Sequence, residues 1–249
     1  MPARFAGKVV IVTGGSQGVG LGIARAFLDE GASVVTCARR GFDRPPAART
    51  DDERDRSMHV PADIRDDAQI ERVVDATVER FGRLDVLVNN AGGQPPTDIA
   101  TASPRFVRSI IELNLTAPLV FAQQAHRVMS TQEGGGSIIN ISSQASLPDG
   151  GGGTLAPYGA AKAGLNHVTR SLAKAWGATV RVNCVSLGWV LTEALEEHVL
   201  SGHGDPSADI PVGRMGTPAE IGGLCVFLAS DEASYVNGAT LWADGGGGF

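Results

Sequence analysis

The sequence predicts a doubly wound α/β fold in which one domain spans residues 1–249, a parallel sheet with helices on both faces. Three observations carry this. Short runs that are apolar at every position alternate with longer runs of helical period, and a strand apolar on both sides belongs in a sheet covered on both faces. The alternation is βαβα from end to end, the order that connects parallel strands. No internal repeat or linker divides the 249 residues.

Lys8–Thr13 (KVVIVT) is the first buried strand, followed by a helix over Leu21–Glu30 and a second strand at Ser33–Cys37. The polar stretch Gly41–Ser57 reads as an exposed connection. Val60 begins a short segment before Asp67–Phe81, where Ile70, Val73, Val74, Val78 and Phe81 mark one helical face. Further strands fall at Val86–Asn89, Ser137–Ile141, Val180–Val185 and Thr240–Ala243, with helices over Ala102–Met129, Tyr158–Trp176 and Pro218–Ala229. Thr217-Pro-Ala-Glu220 is a helix start that combines a Thr cap, Pro at the first position and Glu at the third.

Composition bounds the function. Apolar residues make up 43% and charged residues 19%, and the net charge of −6 offers no basic surface to nucleic acid or anionic membrane. No apolar stretch approaches the roughly 20 residues of a membrane span, and MPARFAGK runs straight into the first strand without a signal peptide, so the chain is expected in the cytoplasm. Cys37, Cys184 and Cys225 are isolated in apolar sequence and read as reduced core thiols; the five His residues fall in no metal-ligand spacing.

Tyr158 and Lys162, in APYGAAKAG, lie four apart and therefore share one helix face. A phenol beside a lasting positive charge ionises more easily, which suits it to general acid/base work near neutral pH. Upstream, Thr13-Gly14-Gly15-Ser16-Gln17-Gly18-Val19-Gly20 joins the first strand to the first helix. Glycines there let a pyrophosphate approach the backbone, and the helix N-terminus supplies free N–H groups. The spacing is G-x-x-x-G-x-G rather than G-x-G-x-x-G.

These motifs recur in order with Asn89-Asn90-Ala91-Gly92, Asn114, Ile139-Asn-Ile-Ser142-Ser143 and a terminal Asp244-Gly-Gly. The ordered set resembles the short-chain dehydrogenase/reductase family over essentially the whole chain. The resemblance implies a Rossmann-type fold and hydride transfer between a nicotinamide and a carbonyl or alcohol carbon. By match, Tyr158 exchanges a proton with the substrate oxygen, and Lys162 lowers the Tyr pKa and binds the nicotinamide ribose. Ser143 holds the substrate oxygen, with Ser142 its competitor for that role, and Asn114 anchors a proton-relay water. The catalytic set is thus Asn114, Ser143, Tyr158 and Lys162. Donors aimed at the oxygen stabilise the charge that develops as hydride arrives.

The resemblance also implies the cofactor contacts: Gly14, Ser16, Gln17, Gly18, Val19 and Gly20 in the loop, Asp63 and Ile64 near the adenine, Asn90, Ala91 and Gly92 after the fourth strand. Asp63 has a second reading as a helix cap, and Asn90 as a brace for the central strands. Relatives that prefer NAD carry an acidic residue at the end of the second strand, where this chain has Ala38-Arg39-Arg40. A guanidinium suits a 2′-phosphate in charge and geometry, so NADP is expected over NAD, with Arg39 and Arg40 as its readers. The other reading stacks Arg39 on adenine and leaves Arg40 in solvent. Gln17, where many NADP-using relatives have a basic residue, argues the other way.

The family's Pro-Gly after the sixth strand is here Leu187-Gly188, which removes a fixed φ from the loop; Gly188, Val190 and Thr192 remain for the carboxamide. Gly150–Gly153 reads as an unusually shaped rim or a neutral surface insertion. Thr192–Pro211 is the expected substrate lid. It holds Glu193, Glu196, Glu197, Asp205 and Asp209 with His198 and His203 and no Lys or Arg, an unpromising match for a strongly anionic substrate. The alternative is that these carboxylates form the solvated face of a short helix. Gln94, Gln144, Leu147, Trp189 and Leu195 are the expected pocket residues. The sequence thus predicts an NADP-preferring enzyme that interconverts a small-molecule secondary alcohol and ketone, without a metal. The rivals are a 3-oxoacyl-thioester reductase and a catalytically inactive, cofactor-binding regulatory protein. By family analogy a homotetramer or homodimer is expected, paired through Ala117–Met129 and Tyr158–Trp176. The small residues of Gly159–Gly164 serve either that contact or packing on the chain's own sheet.

Overall fold

The computed structural model describes residues 3–148, 150, 153–201 and 204–247, the His198 side chain excepted. Seven strands, β1 (Val9–Thr13), β2 (Ser33–Ala38), β3 (Ser57–Pro61), β4 (Val86–Asn89), β5 (Gly136–Ser143), β6 (Val180–Leu187) and β7 (Thr240–Ala243), form one sheet in the order β3-β2-β1-β4-β5-β6-β7. Every pairing is parallel.

The helices are α1 (Gly18–Asp29), α2 (Asp51–Asp55), α3 (Asp67–Phe81), α4 (Pro104–Ile111), α5 (Ala117–Met129), α6 (Ala156–Trp176), α7 (Glu193–Leu200) and α8 (Pro218–Ala229). Alternate residues of each strand face opposite layers. Val10 and Val12 pack with Ile23 and Phe27 of α1 and with Cys225 and Val226 of α8. Ile11 and Leu87 pack with Ile70 and Val73 of α3 and with Phe121 and Met129 of α5. The core therefore lies on both faces, as strands apolar at every position require. Cys37, Cys184 and Cys225 are free and buried. Among the described residues no helix is long and apolar enough to cross a membrane.

Three expectations change, and one reading left open by the sequence is narrowed. β3 begins at Ser57, before Val60, because Ser57 and Val60 are buried and pair with Val34 and Cys37. The stretch 41–57 is not a plain exposed loop: Thr50 caps α2, Ala47 is buried, and Arg49 bridges Asp29 and Glu53. Ala102–Met129 is not one helix. Ser103 caps α4 by accepting from Phe106 N, and a π-helical turn, Glu112–Thr116, interrupts the run. There the Asn114 amide donates to the Ile110 carbonyl at 2.9 Å, the acceptor a regular α-helix would use for its own N–H. Finally, Gly159 and Gly164 serve the chain itself: a Cβ on Gly159 would meet the Ala145 carbonyl oxygen at 2.5 Å, and one on Gly164 would meet the Leu115 side chain at 3.1 Å.

A buried polar string ties the central layers together. Asn89 Nδ2 donates to the Pro118 carbonyl and to Asn140 Oδ1, each at 3.0 Å, and Asn140 Nδ2 donates to Thr169 Oγ1 at 2.9 Å. Asn140→Ala removes one partner from each neighbour, leaving Asn89 bonded to the Pro118 carbonyl and Thr169 to the Leu165 carbonyl. It is expected to cost about 1–2 kcal/mol, read as a lowered denaturant midpoint; an unchanged midpoint would show the string to be dispensable.

Candidate active site

A cleft of about 860 Å³ opens at the carboxyl ends of the strands. It lies where β1 leads to α1 on one face and β4 leads to α4 and α5 on the other, the switch point of a doubly wound sheet. Thr13 Oγ1 accepts the N–H groups of both Asn90 and Ala91 at 2.9 Å, and Asn90 Nδ2 donates to the Thr13 carbonyl at 2.9 Å. Asn90 therefore braces the two strand ends, although it also lines the cleft. Thr13 was the unassigned first residue of the glycine motif; its threonine identity was the available signal.

The residues present fit a dinucleotide. Gln17 at the N-cap of α1 makes no side-chain capping bond, and the N–H groups of a first helical turn have no partner within the helix. Gly14, Gln17, Gly18, Val19 and Gly20 line the cleft here. A Cβ on Gly20 would lie 2.3 Å from the Gly14 carbonyl oxygen, so only glycine lets the loop close this tightly. Ser16 lies in the same loop but off the cleft wall.

At the far end Ala38, Arg39, Asp63, Ile64 and Arg65 form the wall. Asp63 is not the cap of α3: Asp66 takes that role by accepting from Ala68 N. Arg65, which sequence reasoning passed over, grips Asp63 through Nε at 2.9 Å and Nη2 at 2.5 Å and holds its carboxyl below the usual range. Arg39 is exposed on the rim of the cleft. Arg40 is turned away, its guanidinium 5.2 Å from the Phe42 ring centroid and its carbonyl accepting from His59 Nε2 at 2.9 Å. The structure thus separates the two arginines that the sequence treated as a pair.

The four expected catalytic residues come from three elements; Ser143, Tyr158 and Lys162 meet on the wall of the cleft, with Asn114 behind it. Asn114 is fully buried; its Oδ1 accepts from Gly93 N at 2.8 Å and its Nδ2 donates to the Gly93 carbonyl at 3.1 Å. It is not itself on the cleft wall. Lys162 Nζ, buried, donates to the Ile141 carbonyl at 2.7 Å and lies 5.6 Å from the Tyr158 ring centroid. Gly92 makes room for this, since a Cβ there would lie 2.6 Å from Asn114 Oδ1 and 3.2 Å from Lys162 Nζ. The two serines part company. Ser142 is buried and donates to the Lys162 carbonyl at 3.2 Å, while Ser143, half-buried, accepts from Ala145 N at 3.2 Å and has its hydroxyl beside the Tyr158 phenol.

The electrostatics differ from the expectation that Lys162 lowers Tyr158. Burial pushes the Tyr158 phenol up, and the neighbouring Ser143 hydroxyl acts downward against it. Lys162 is itself pushed down to about 8 by burial. Burial is thus the largest cause of the shift at both groups.

The missing proline does not free the loop after β6. Leu187 continues the strand opposite Ala243, and Gly188 N donates to the Ala243 carbonyl at 3.1 Å. Trp189 and Leu191 then bond Gly216 from both sides, at 3.0 and 2.8 Å. Gly188, Trp189, Val190, Thr192 and Leu195 all line the cleft, and Trp189 is 46% exposed. Thr192 caps α7, the first part of the lid, by accepting from Leu195 N. The lid carboxylates Glu193, Glu196, Glu197, Asp205 and Asp209 are exposed, the solvated-face reading. The His198 side chain, His203 and Gly151–Gly152 lie outside the described residues. Gln144 and Leu147 are off the cleft wall because Gln144 starts a 3₁₀ turn beside it. Gln94 lines the cleft, but both ends of its amide are engaged: Oε1 accepts from Tyr158 N at 3.1 Å and Nε2 donates to the Thr154 carbonyl at 2.7 Å.

Fold and cleft together define a protein of the Rossmann type. A family model described as Enoyl-(Acyl carrier protein) reductase matches residues 14–247. The chain is similar to L-fucose dehydrogenase of Oryctolagus cuniculus, 38% identical with 98% of this chain and 86% of that one covered. It is 37% identical to 3alpha-hydroxysteroid dehydrogenase of Mediterraneibacter gnavus, with 96% of each covered. The solved aldohexose dehydrogenase of Thermoplasma acidophilum superposes with a TM-score of 0.87 at 29% identity, covering 99% of this chain and 96% of that one. The chain belongs to the short-chain dehydrogenase/reductase family.

The buried ammonium has a thermodynamic signature. Folded, Lys162 loses its proton near pH 8; unfolded, near its ordinary 10.5. Between these values the unfolded chain binds more protons, so stability rises with pH, whereas below pH 8 both states hold the proton and the cost remains in full. Relative to Lys162→Met, the unliganded protein is expected to gain up to about 3 kcal/mol between pH 8 and 10.5 in denaturant unfolding. A constant difference across that window would contradict a desolvated ammonium.

Proposed function

We propose that the protein is an NADP-preferring enzyme that interconverts a secondary alcohol and a ketone, with Tyr158 as acid/base. The observation that carries the reading is the Tyr158 phenol beside the Ser143 hydroxyl and the buried Lys162, on the wall of the cleft that ends at Arg39. A nicotinamide bound in the cleft would accept or donate the hydride. The chain's part is to handle the other hydrogen. In oxidation the Tyr158 phenolate takes the alcohol proton; in reduction the phenol returns it to the oxygen as negative charge grows there. Ser143 holds that oxygen, and Lys162 favours the phenolate once a second positive charge helps offset its burial.

The substrate end of the cleft favours a neutral, hydroxylated molecule. Gln94, Trp189, Leu195 and Leu187 meet there, and among the described wall residues the only Lys or Arg at that end is the buried Lys162. The relatives' names, a sugar, an aldohexose and a hydroxysteroid dehydrogenase, agree in kind. An acyl chain on an acidic carrier is the second reading, favoured by the description of the family model and opposed by the lack of any Lys or Arg in the sequence of the lid. The whole chain is read as one domain, assembling with further copies of itself.

The decisive assay follows nicotinamide absorbance with a panel of cyclic alcohols, sugars, ketones and acyl thioesters; cofactor binding with no turnover of any member would favour the inactive, regulatory alternative. Tyr158→Phe is expected to abolish turnover with cofactor affinity near normal, and activity within about tenfold of wild type would refute the proton donor. Arg39→Ala is expected to weaken NADP binding by about tenfold or more and NAD little; equal losses in titrations of both would defeat the 2′-phosphate assignment.

A further inference from the structure

We propose that Gln94 is a positioning residue for Tyr158: its amide oxygen holds the first turn of α6 in the register that brings the phenol to the Ser143 hydroxyl. The inference rests on Tyr158 being the acid/base, as above. Helix α6 has no cap of its own. Leu155 at its N-cap offers no side-chain acceptor, and Pro157 has no N–H. The Tyr158 N–H is a first-turn donor without a partner inside the helix. Gln94 supplies that partner from the loop after β4, at 3.1 Å.

The opposite end of the same amide, Nε2, is bonded to the Thr154 carbonyl at 2.7 Å, and Thr97 N reaches that carbonyl at 3.2 Å. Gln94 is therefore held at both ends rather than offered to substrate. The residue before it, Gly93, is clamped by Asn114 from the π-helical turn through both its N–H and its carbonyl. A continuous path of hydrogen bonds and one peptide link thus runs from Asn114 through Gly93 and Gln94 to the backbone of Tyr158. The loop that borders the cleft sets the height of the catalytic helix above it. Proton transfer depends steeply on such placement; an error of about 1 Å can cost on the order of a hundredfold in rate.

Two substitutions separate the two bonds. Gln94→Glu keeps an acceptor for the Tyr158 N–H and loses the donor to Thr154, whereas Gln94→Lys keeps a donor and loses the acceptor. Alcohol oxidation is followed across pH, and kcat is compared on the high-pH plateau, where the phenol is ionised in every variant and a charge at position 94 no longer alters its protonation. Gln94→Lys is expected to lose about 10- to 100-fold in plateau kcat with cofactor KM and melting temperature close to wild type, while Gln94→Glu recovers to within about threefold of wild type. Wild-type plateau kcat in Gln94→Lys, or an equal loss in both variants, would overturn the proposal. If a charged variant does not fold, Gln94→Met, similar in size and lacking both bonds, is expected to show the loss assigned to Gln94→Lys, and full activity in it would overturn the proposal equally. Tyr158→Phe measured alongside keeps the two readings apart. An active Tyr158→Phe defeats the acid/base assignment itself; an inactive one together with a fully active Gln94→Lys defeats the role of Gln94 alone.

Discussion

The hydrogen bond from the Lys162 ammonium to the Ile141 carbonyl is the interaction on which the site depends. An ammonium removed from water must find acceptors, and here the end of β5 provides one at 2.7 Å. That bond fixes α6 against the strand that carries Ser143, so the phenol and the hydroxyl arrive together. It also dictates Gly92, because any side chain there would press on the Asn114 amide and the ammonium. Burial leaves the lysine only weakly charged above about pH 8, and the phenol above its ordinary range. The pair is thereby poised to respond to any further charge brought into the cleft.

The cleft is made of strand ends and loops, which by themselves are soft. In this chain each is stitched to its neighbour by a short polar side chain: Thr13 and Asn90 join β1 to β4, Asn114 joins the loop after β4 to the π-helical turn, and Gln94 joins that loop to α6. The bonds run from side chain to backbone, so they fix the path of the main chain rather than merely filling space. Preorganisation of this kind lets donors stand ready where charge develops, with little reorganisation during reaction.

Charge is divided along the cleft. Arg39 and Arg65 stand at one end, with Asp63 gripped by Arg65, while Arg40 is drawn off by Phe42 and His59. A field of this shape favours an anionic group at the arginine end and an uncharged one beside Tyr158. The acidic residues of the lid face solvent and leave the pocket itself largely apolar.

The chain's own order of residues determined the strands, because a run such as Val9–Thr13 must be buried on both sides, and the helix start at Thr217, where cap, Pro and Glu act locally. It also determined the shared helix face of Tyr158 and Lys162, since i, i+4 spacing is a property of the helix alone. Other features were decided by partners distant in sequence. β3 starts at Ser57 because of its pairing with β2, and the break at Asn114 includes a bond to Gly93 beyond the helix. Which of Ser142 and Ser143 stands beside Tyr158 followed the pleat of β5 against α6. Arg40 was lost from the cleft to Phe42 and His59, and Gln94 gained its place at Tyr158, through contacts no local pattern encodes. Short-range propensity acts within a few residues, whereas desolvation and hydrogen-bond satisfaction are settled only when separate segments meet.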